Sequence, residues 1–273
     1  MGGLWNILRL LRPHNMAAAV LSVACGCVLA PGREGCGFAL LAATALVTAA
    51  GNVINDIYDR DIDSMNRPGR PIPSGSVGVT AAAWFYGTLL AGAFLSALLL
   101  PPVQAAWIAV WAVLLHVYSS SLKRALLWGN ILVSAVSASG FLLGAQAGGA
   151  IGAGIVPAAY TFVFVMGREI VKDVEDIEGD MSCGARTLPV VAGKGAALDL
   201  SAAVFITLAV VFPVPWALGI YGDAYIVLML GSVIPLLVAS AVFALRRSRI
   251  PTVRTLLKTG MFFGIAAFYL GSR

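Results

Sequence analysis

Long apolar segments alternate with short polar connections along almost the whole chain. They fall near residues 13–31, 36–56, 79–100, 103–119, 126–147, 151–171, 196–213, 223–245 and 252–271. At about 1.5 Å of rise per helical residue, each of the nine is long enough to cross or nearly cross the hydrocarbon layer of a bilayer. The pattern predicts an all-α membrane protein with nine transmembrane helices. Pro235 lies inside the eighth segment and predicts a kink there rather than a helix end.

Composition agrees with a membrane location. The chain has a mean hydropathy of +0.90, with 59% hydrophobic and only 11% charged residues, which excludes an ordinary soluble core. The first residues include Arg9 and Arg12 but no small-residue cleavage site, so we expect no cleaved signal peptide. Residues 1–273 are predicted to form a single integral-membrane domain.

The basic residues predict an orientation. With nine spans, sixteen of the 18 basic residues fall on one membrane face, and only Arg33 and Arg273 fall on the other. By the positive-inside rule, the N-terminus is expected in the cytoplasm and the C-terminus outside. The net charge of +5 is therefore a signal of topology, and no nucleic-acid partner is predicted.

Two polar stretches stand out against this apolar background. Residues 52–75 and 168–189 together hold ten of the 13 acidic residues. Asp59 and Asp176 are 117 residues apart, and Arg70 and Arg186 are 116 apart. The matched spacing predicts an internal duplication, with two halves arranged around a central cavity.

Each polar stretch places oxygen-bearing side chains on one face of a helix. The first set consists of Asn55, Asp59 and Asp63, and the second of Asp173, Asp176 and Asp180. Their spacings, i, i+4, i+8 and i, i+3, i+7, each predict one stripe, here called the first and second carboxylate stripes. Two carboxylates about 6 Å apart repel by roughly 3 kcal/mol at an effective dielectric constant of 20. The stripes are therefore expected to bind a cation.

Oxygen ligands without nearby His or Cys favour Mg²⁺. Because Mg²⁺ typically takes one or two carboxylates together with phosphate oxygens, the predicted ligand is a diphosphate held by Mg²⁺ between two helices. Basic side chains near the stripes would neutralise the remaining phosphate charge. They are Arg67, Arg70, Lys123 and Arg186. A solvated acidic turn is the simpler alternative, but it does not explain a duplicated stripe.

Four motifs in these stretches resemble the UbiA superfamily of intramembrane prenyltransferases. They are N-D-x-x-D-x-x-x-D at 55–63, N-R-P-x-R-P-I-P-S-G at 66–75, Y-S-x-x-L-K at 118–123 and D-x-x-x-D at 176–180. The resemblance covers essentially the whole chain. It implies Mg²⁺-dependent transfer of a prenyl group from a polyisoprenyl diphosphate. It also implies metal-binding roles for both stripes, with Asp173 extending the second motif.

The second polar stretch also resembles one branch of that superfamily. Its sequence, G-R-E-I-V-K-D-V-E-D-I-E-G-D followed by G-A-R-T-L-P, is similar to the archaeal branch that makes membrane ether lipids. This resemblance implies geranylgeranyl diphosphate as the donor and the glycerol hydroxyl of geranylgeranylglyceryl phosphate as the acceptor.

Two other functions remain as alternatives. The first is prenylation of an aromatic acceptor of the quinone-precursor type. The second is an ion-coupled secondary transporter, in which acidic residues on paired repeats bind coupling ions. Transporter sites lie near the bilayer midplane, whereas both stripes lie at predicted helix ends, which favours the enzyme.

A prenyl carbocation needs shelter from water and is stabilised by aromatic ring faces. The candidates are Tyr58, Tyr118, Phe141, Tyr160, Phe162 and Phe164. The proton of the acceptor hydroxyl would go to Asp63, to Asp180 or to the released diphosphate, and the residues leave these possibilities open.

Several further side chains carry smaller predictions. Arg168 and Lys172 are candidates for binding the acceptor phosphate. The basic residues of the last connection are interpreted as anchors to anionic lipid; they are Arg246, Arg247, Arg249, Arg254 and Lys258. Asp56 and Asp61 are expected to cap or to be solvated. The four cysteines are expected to be free thiols, and Asn130 is expected to face the helix bundle.

Overall fold

The computed structural model describes residues 2–32 and 35–272, and its regular elements are all helical. Thirteen α-helices follow in order: α1 Gly2–Leu11, α2 Pro13–Leu29, α3 Phe38–Tyr58, α4 Arg60–Asn66, α5 Val79–Ala97, α6 Pro102–Ser120, α7 Trp128–Ala147, α8 Ile155–Ser182, α9 Leu188–Val211, α10 Val214–Ala217, α11 Asp223–Leu228, α12 Ile234–Leu245 and α13 Ile250–Gly271. Two 3₁₀ turns, Leu122–Arg124 and Ile151–Gly154, and one π-helical segment, Met229–Val233, connect them.

Eight helical segments of the described chain are long and apolar enough to cross a membrane. Helix α2 is apolar but has only 17 residues, so it would cross the hydrocarbon layer only with little tilt. With α2 included, nine apolar helical segments lie where the hydropathy pattern predicts them, and the all-helical membrane class is confirmed.

Two membrane-spanning segments depart from regular α-helical geometry at identifiable residues. Within α9, Gly193 has a φ of +87°, a backbone conformation that favours glycine, and it breaks the helical path. Pro235 is the second residue of α12, which begins directly after the π-helical segment and continues to Leu245. The eighth span therefore does not end at the proline, as the sequence predicts, and the kink itself stays a prediction.

Helices α2 and α7 approach each other so closely that only glycine fits at the contact. A Cβ atom built on Gly144 would lie 1.9 Å from the carbonyl oxygen of Val23, and one on Gly26 would lie 2.2 Å from that of Phe141. Because the clashing atoms belong to the backbone, neither can rotate away. Helix α7 also packs against α8, so this contact helps to position the helix that carries the second stripe.

We expect Gly144→Ala to destabilise the bundle by about 2 kcal/mol or more, because the added methyl group must push two backbones apart. Thermal unfolding of the detergent-solubilised protein measures this. Gly87→Ala on α5 is the matched control, since a Cβ there meets nothing within 4 Å. An unchanged unfolding midpoint for Gly144→Ala would contradict the close approach.

The prediction of four free thiols is wrong for two of the cysteines. Cys27, on α2, forms a disulfide with Cys36, just before α3, with their Cα atoms 6.0 Å apart. Cys25 and Cys183 are free. The turn between α2 and α3 brings the two thiols within bridging distance, and the C-x-C spacing does not show this. Arg33 and Arg273, the two residues predicted for the opposite membrane face, lie outside the described residues.

Candidate active site

The first carboxylate stripe runs through the junction of α3 and α4. The α-helix is interrupted at Asp59, but helical hydrogen bonds span the interruption. The backbone NH of Asp59 donates to the carbonyl of Asn55 (2.9 Å), and the backbone NH of Asp63 donates to the carbonyl of Asp59 (2.7 Å). Helical register therefore continues across the junction, and the three side chains share one face. All three are buried, and Asn55 Nδ2 donates a 2.7 Å hydrogen bond to Asp59 Oδ2. The predicted stripe is present.

The second carboxylate stripe lies on the last turns of α8. Asp173 accepts a 2.8 Å hydrogen bond from Asn130 on α7, and Asp180 accepts one of 2.9 Å from the Thr187 hydroxyl. Asn130 is buried in the bundle, as predicted. These bonds fix the outer members of the stripe to neighbouring elements, with Asp176 between them.

Helix α4 docks on α8 and brings the stripes together. Asn66 donates from Nδ2 to the carbonyl of Asp176 (3.0 Å) and accepts from the backbone NH of Gly179 (3.2 Å). Beside it, Arg67 holds both carboxylate oxygens of Asp176, at 2.6 and 3.0 Å, and lies 3.7 Å from Asp63. Arg67 is therefore the bridge between the two stripes.

Cations also neutralise the first stripe. Lys123 pairs with Asp59, and Arg70 pairs with Asp63. Burial alone would raise the pKa of Asp59, but the Lys123 ammonium outweighs it and holds that pKa below its ordinary value. Burial raises the pKa of Asp63 above the ordinary range, and Arg70 offsets only part of this effect.

Asp56 contradicts the prediction that it caps or is solvated. It is only 3% exposed, and it accepts ion pairs from Arg12 and Arg70. Arg12 lies in the turn between α1 and α2, where its φ of +50° turns the chain. Neither residue was predicted to belong to the site, since their pairing depends on how α2 packs against α3. Asp61 is solvated as predicted, with its side chain 77% exposed.

Arg186 does not join the basic residues around the stripes. Its side chain is exposed and forms no ion pair with the described residues, although its backbone NH donates to the carbonyl of Arg124. The predicted role for Arg186 came from its position after the second stripe, 116 residues from Arg70. The chain leaving α8 instead presents Thr187 to Asp180.

An apolar cavity of about 190 Å³ opens beside the first stripe. Asn55 lines its polar end, and three of the candidates for stabilising a carbocation, Tyr118, Tyr160 and Phe164, line its walls. Their role toward a carbocation stays a prediction. Three predicted aromatic residues do not line it: Tyr58 packs edge-on against His116, Phe141 is fully buried in the core, and Phe162 packs beside that core. Three aromatic residues that the sequence did not single out take their place, namely Trp111, Phe212 and Phe268.

A second cavity, of about 450 Å³, is lined mainly by cations. A shared wall separates it from the apolar cavity and consists of Arg12, Asn15, Arg168, Glu169 and Lys172. Glu169 is buried and accepts from Arg168 at 2.6 Å and from Lys172 at 3.0 Å. The two predicted acceptor-phosphate residues therefore lie where an apolar space meets a basic one.

The donor set of the stripes fits Mg²⁺. Within residues 2–32 and 35–272, no three His, Cys, Asp or Glu side chains converge into a complete metal cage. A Mg²⁺ ion does not need one, since it keeps several waters and takes only one or two carboxylates beside substrate oxygens. Asp59 and Asp63 with Asn55, and Asp176 and Asp180 with Asp173, supply that number on each stripe. Their role as metal ligands stays a prediction.

The fold and the site together define a class: a polytopic helical membrane protein with paired carboxylates and cations at one end of the bundle and an apolar cavity beside them. The chain belongs to the UbiA prenyltransferase family, whose model matches residues 18–266. It is therefore a prenyltransferase, and the resemblance in its motifs is confirmed.

Curated relatives match nearly the full chain. Digeranylgeranylglyceryl phosphate synthase of Methanopyrus kandleri is 38% identical over 266 residues, which cover 96% of this chain and 97% of the relative. The protein of the same name from Natronomonas pharaonis is 39% identical, with 97% and 96% covered. The chain is thus similar, along nearly its whole length, to relatives named digeranylgeranylglyceryl phosphate synthase.

Solved structures share the fold. One from work on digeranylgeranylglyceryl phosphate synthase in membranes has a TM-score of 0.73 at 28% identity, covering 100% of this chain and 99% of its own. A UbiA homologue from Aeropyrum pernix K1 has a TM-score of 0.79 at 20% identity, with 94% and 97% covered. A UbiA homologue from Archaeoglobus fulgidus bound to GPP and Mg²⁺ has a TM-score of 0.66 at 19% identity, with 96% and 99% covered.

Proposed function

We propose that this chain, as one domain over residues 1–273, transfers a geranylgeranyl group from geranylgeranyl diphosphate to the glycerol hydroxyl of geranylgeranylglyceryl phosphate, with Mg²⁺ as cofactor. The observation that carries the proposal is the pair of buried carboxylate stripes joined by Arg67 beside an apolar cavity. The names of the relatives that match along the whole chain support the choice of donor and acceptor.

The cations around the stripes are suited to receive the diphosphate. In the structure, Lys123, Arg70 and Arg67 are each paired with an aspartate. Mg²⁺, when bound, supplies positive charge that favours departure of the diphosphate. With the aspartates holding the metal, Lys123, Arg70 and Arg67 would donate to phosphate oxygens, which carry more negative charge as the allylic C–O bond breaks.

The proposed reaction breaks the allylic C–O bond of the donor and forms one ether C–O bond to the acceptor. The electron pair of the allylic C–O bond leaves with the diphosphate, and the acceptor oxygen supplies the pair of the new ether bond. Tyr118, Tyr160 and Phe164 face the apolar cavity, where their rings stabilise the positive charge on the prenyl carbon and exclude water. Asp63 and Asp180, one on each stripe, are the carboxylates that we propose to accept the hydroxyl proton.

The proposed orientation places the stripes, the N-terminus and most basic residues in the cytoplasm and the C-terminus outside. Arg67, Lys123, Arg168 and Arg254 all lie near the end of the bundle that carries the stripes, as their ion pairs require. The positive-inside rule then assigns that end to the cytoplasm. Donor, lipid-like acceptor and surrounding membrane lipids are the partners expected.

Transfer of radiolabel from geranylgeranyl diphosphate tests the function directly. With purified protein and Mg²⁺, we expect label in geranylgeranylglyceryl phosphate and none in 4-hydroxybenzoate offered in parallel. EDTA is expected to abolish transfer, and added Mg²⁺ to restore it. Label on the aromatic ring would keep the donor chemistry and overturn the acceptor. Absence of label from both would contradict the proposed enzyme and favour an ion-coupled transporter.

A further inference from the structure

The structure divides the basic residues of the last connection into two groups. Arg246, Arg247 and Arg249 are exposed, and Arg247 pairs with the exposed Asp199, as expected of residues that anchor a protein at a membrane surface. Arg254 and Lys258 are only partly exposed and line the basic second cavity. They lie four residues apart on α13 and so share one face of that helix. The anchor interpretation therefore covers only the first group.

The second cavity has more cations than its carboxylates neutralise. Eight Arg and Lys side chains line it, against two acidic ones, Asp56 and Glu169. Each of these two carboxylates is already shared between two cations, since Arg12 and Arg70 contact Asp56 while Arg168 and Lys172 contact Glu169.

The excess of positive charge remains when carboxylates that pair with these cations from outside the cavity are counted. Arg67 pairs with Asp176, Arg70 also pairs with Asp63, and Arg254 lies 3.3 Å from Glu175. Eight cations then face five carboxylates. Lys258 forms no ion pair or hydrogen bond with the described residues. The remaining charge of +3 exceeds the charge of about −1.5 to −2 on a phosphate monoester at pH 7, so these cations can neutralise one such group.

We propose that this cavity binds the phosphate group of the lipid acceptor, and that Lys258, supported by Arg254, determines specificity for a phosphorylated acceptor. The inference rests on the proposed function, because it assigns a site for the acceptor that the function requires. The donor diphosphate belongs at the carboxylate stripes, whose unshared oxygens suit a metal, whereas this cavity offers cations without free carboxylates. Its wall with the apolar cavity would hold the glycerol hydroxyl close to the prenyl carbon.

Exposed apolar side chains of α1 border the second cavity, where they can contact the isoprenoid chain of the acceptor. Trp5 and Leu8, on the apolar side of α1, line the same cavity and are exposed. A lipid with one isoprenoid chain and one phosphate could therefore enter past α1 with its chain in the bilayer and its phosphate toward α13.

The test compares two acceptors, geranylgeranylglyceryl phosphate and its dephosphorylated form, geranylgeranylglycerol, in steady-state transfer assays. We expect Lys258→Gln to raise the KM for the phosphorylated acceptor about tenfold or more, since a charge-assisted contact is lost. The KM for geranylgeranyl diphosphate and the use of geranylgeranylglycerol should stay within about twofold of the wild type. Lys258→Arg, which keeps the charge, should retain most of the preference. Because Lys258 pairs with no side chain among residues 2–32 and 35–272, its removal leaves no buried partner charge there.

Arg246→Gln is the matched control, because it removes an exposed cation from the same connection. We expect it to change neither KM. An unchanged acceptor KM in Lys258→Gln, or an equal rise in the KM of donor and acceptor, would overturn the inference while leaving the proposed function intact. Failure of the wild-type protein to use geranylgeranylglyceryl phosphate at all would overturn both.

Discussion

Asp59→Asn and Asp176→Asn should each lower the rate of prenyl transfer by about 100-fold or more, while the protein still inserts and folds. Each change removes one carboxylate from a different stripe, and loss of a single group that stabilises developing charge typically costs 10²–10³ in rate. Asn keeps the size and hydrogen-bonding capacity of the side chain, so the packing around α3 and α8 is conserved. The measurement is turnover of labelled geranylgeranyl diphosphate by purified variants.

Asp61→Asn is the control for this pair. Asp61 lies in the same polar stretch, but its side chain is 77% exposed and, among the described residues, pairs only with Arg60, at 3.3 Å. We expect its turnover to match the wild type. Normal activity in either Asp59→Asn or Asp176→Asn would contradict a site that uses both stripes.

Arg67→Gln is expected to reduce both stability and activity. The guanidinium holds Asp176 with two contacts and lies near Asp63, and both partners are buried. Removing one member of a buried ion pair leaves an uncompensated charge, which costs about 3 kcal/mol or more. Turnover should fall as well, because Arg67 is also a proposed donor to the leaving diphosphate. Thermal unfolding in detergent and turnover are measured on the same preparation.

The double variant Arg67→Gln, Asp176→Asn separates the two effects. With the carboxylate neutralised, no buried charge is left unpaired, so most of the lost stability should return. Activity should stay low, because both a phosphate-binding cation and a stripe carboxylate are then missing. If the double variant is no more stable than Arg67→Gln alone, Arg67 does not act as the electrostatic bridge between α4 and α8.

The sequence predicted those parts of the site that depend on local geometry. Asn55, Asp59 and Asp63 form a stripe because helical hydrogen bonding continues through the bend at Asp59, and spacing along one chain is sufficient to place them. The same holds for Asp176 and Asp180 within α8. The nine apolar segments were predictable for a similar reason, since hydropathy is a local property of the chain. The internal duplication stays a prediction.

Features that depend on how helices rotate against each other were not predictable from one sequence. Phe141 and Phe268 both occur on apolar helices, and only their packing decides that Phe268 lines the cavity while Phe141 fills the core. Asp56 is offset from the stripe, so its burial against Arg12 depends on the turn that precedes α2. The pairing of Cys27 with Cys36 depends on a turn that spacing does not reveal.

We propose that each carboxylate stripe holds one metal ion against the donor diphosphate. Counting the divalent ions bound per protein molecule tests this proposal directly. Mn²⁺ is the probe, counted by electron paramagnetic resonance with the non-transferring analogue geranylgeranyl thiodiphosphate present. We expect two Mn²⁺ ions per wild-type protein and one in each of Asp59→Asn and Asp176→Asn. Equal numbers in the wild type and both variants would contradict it.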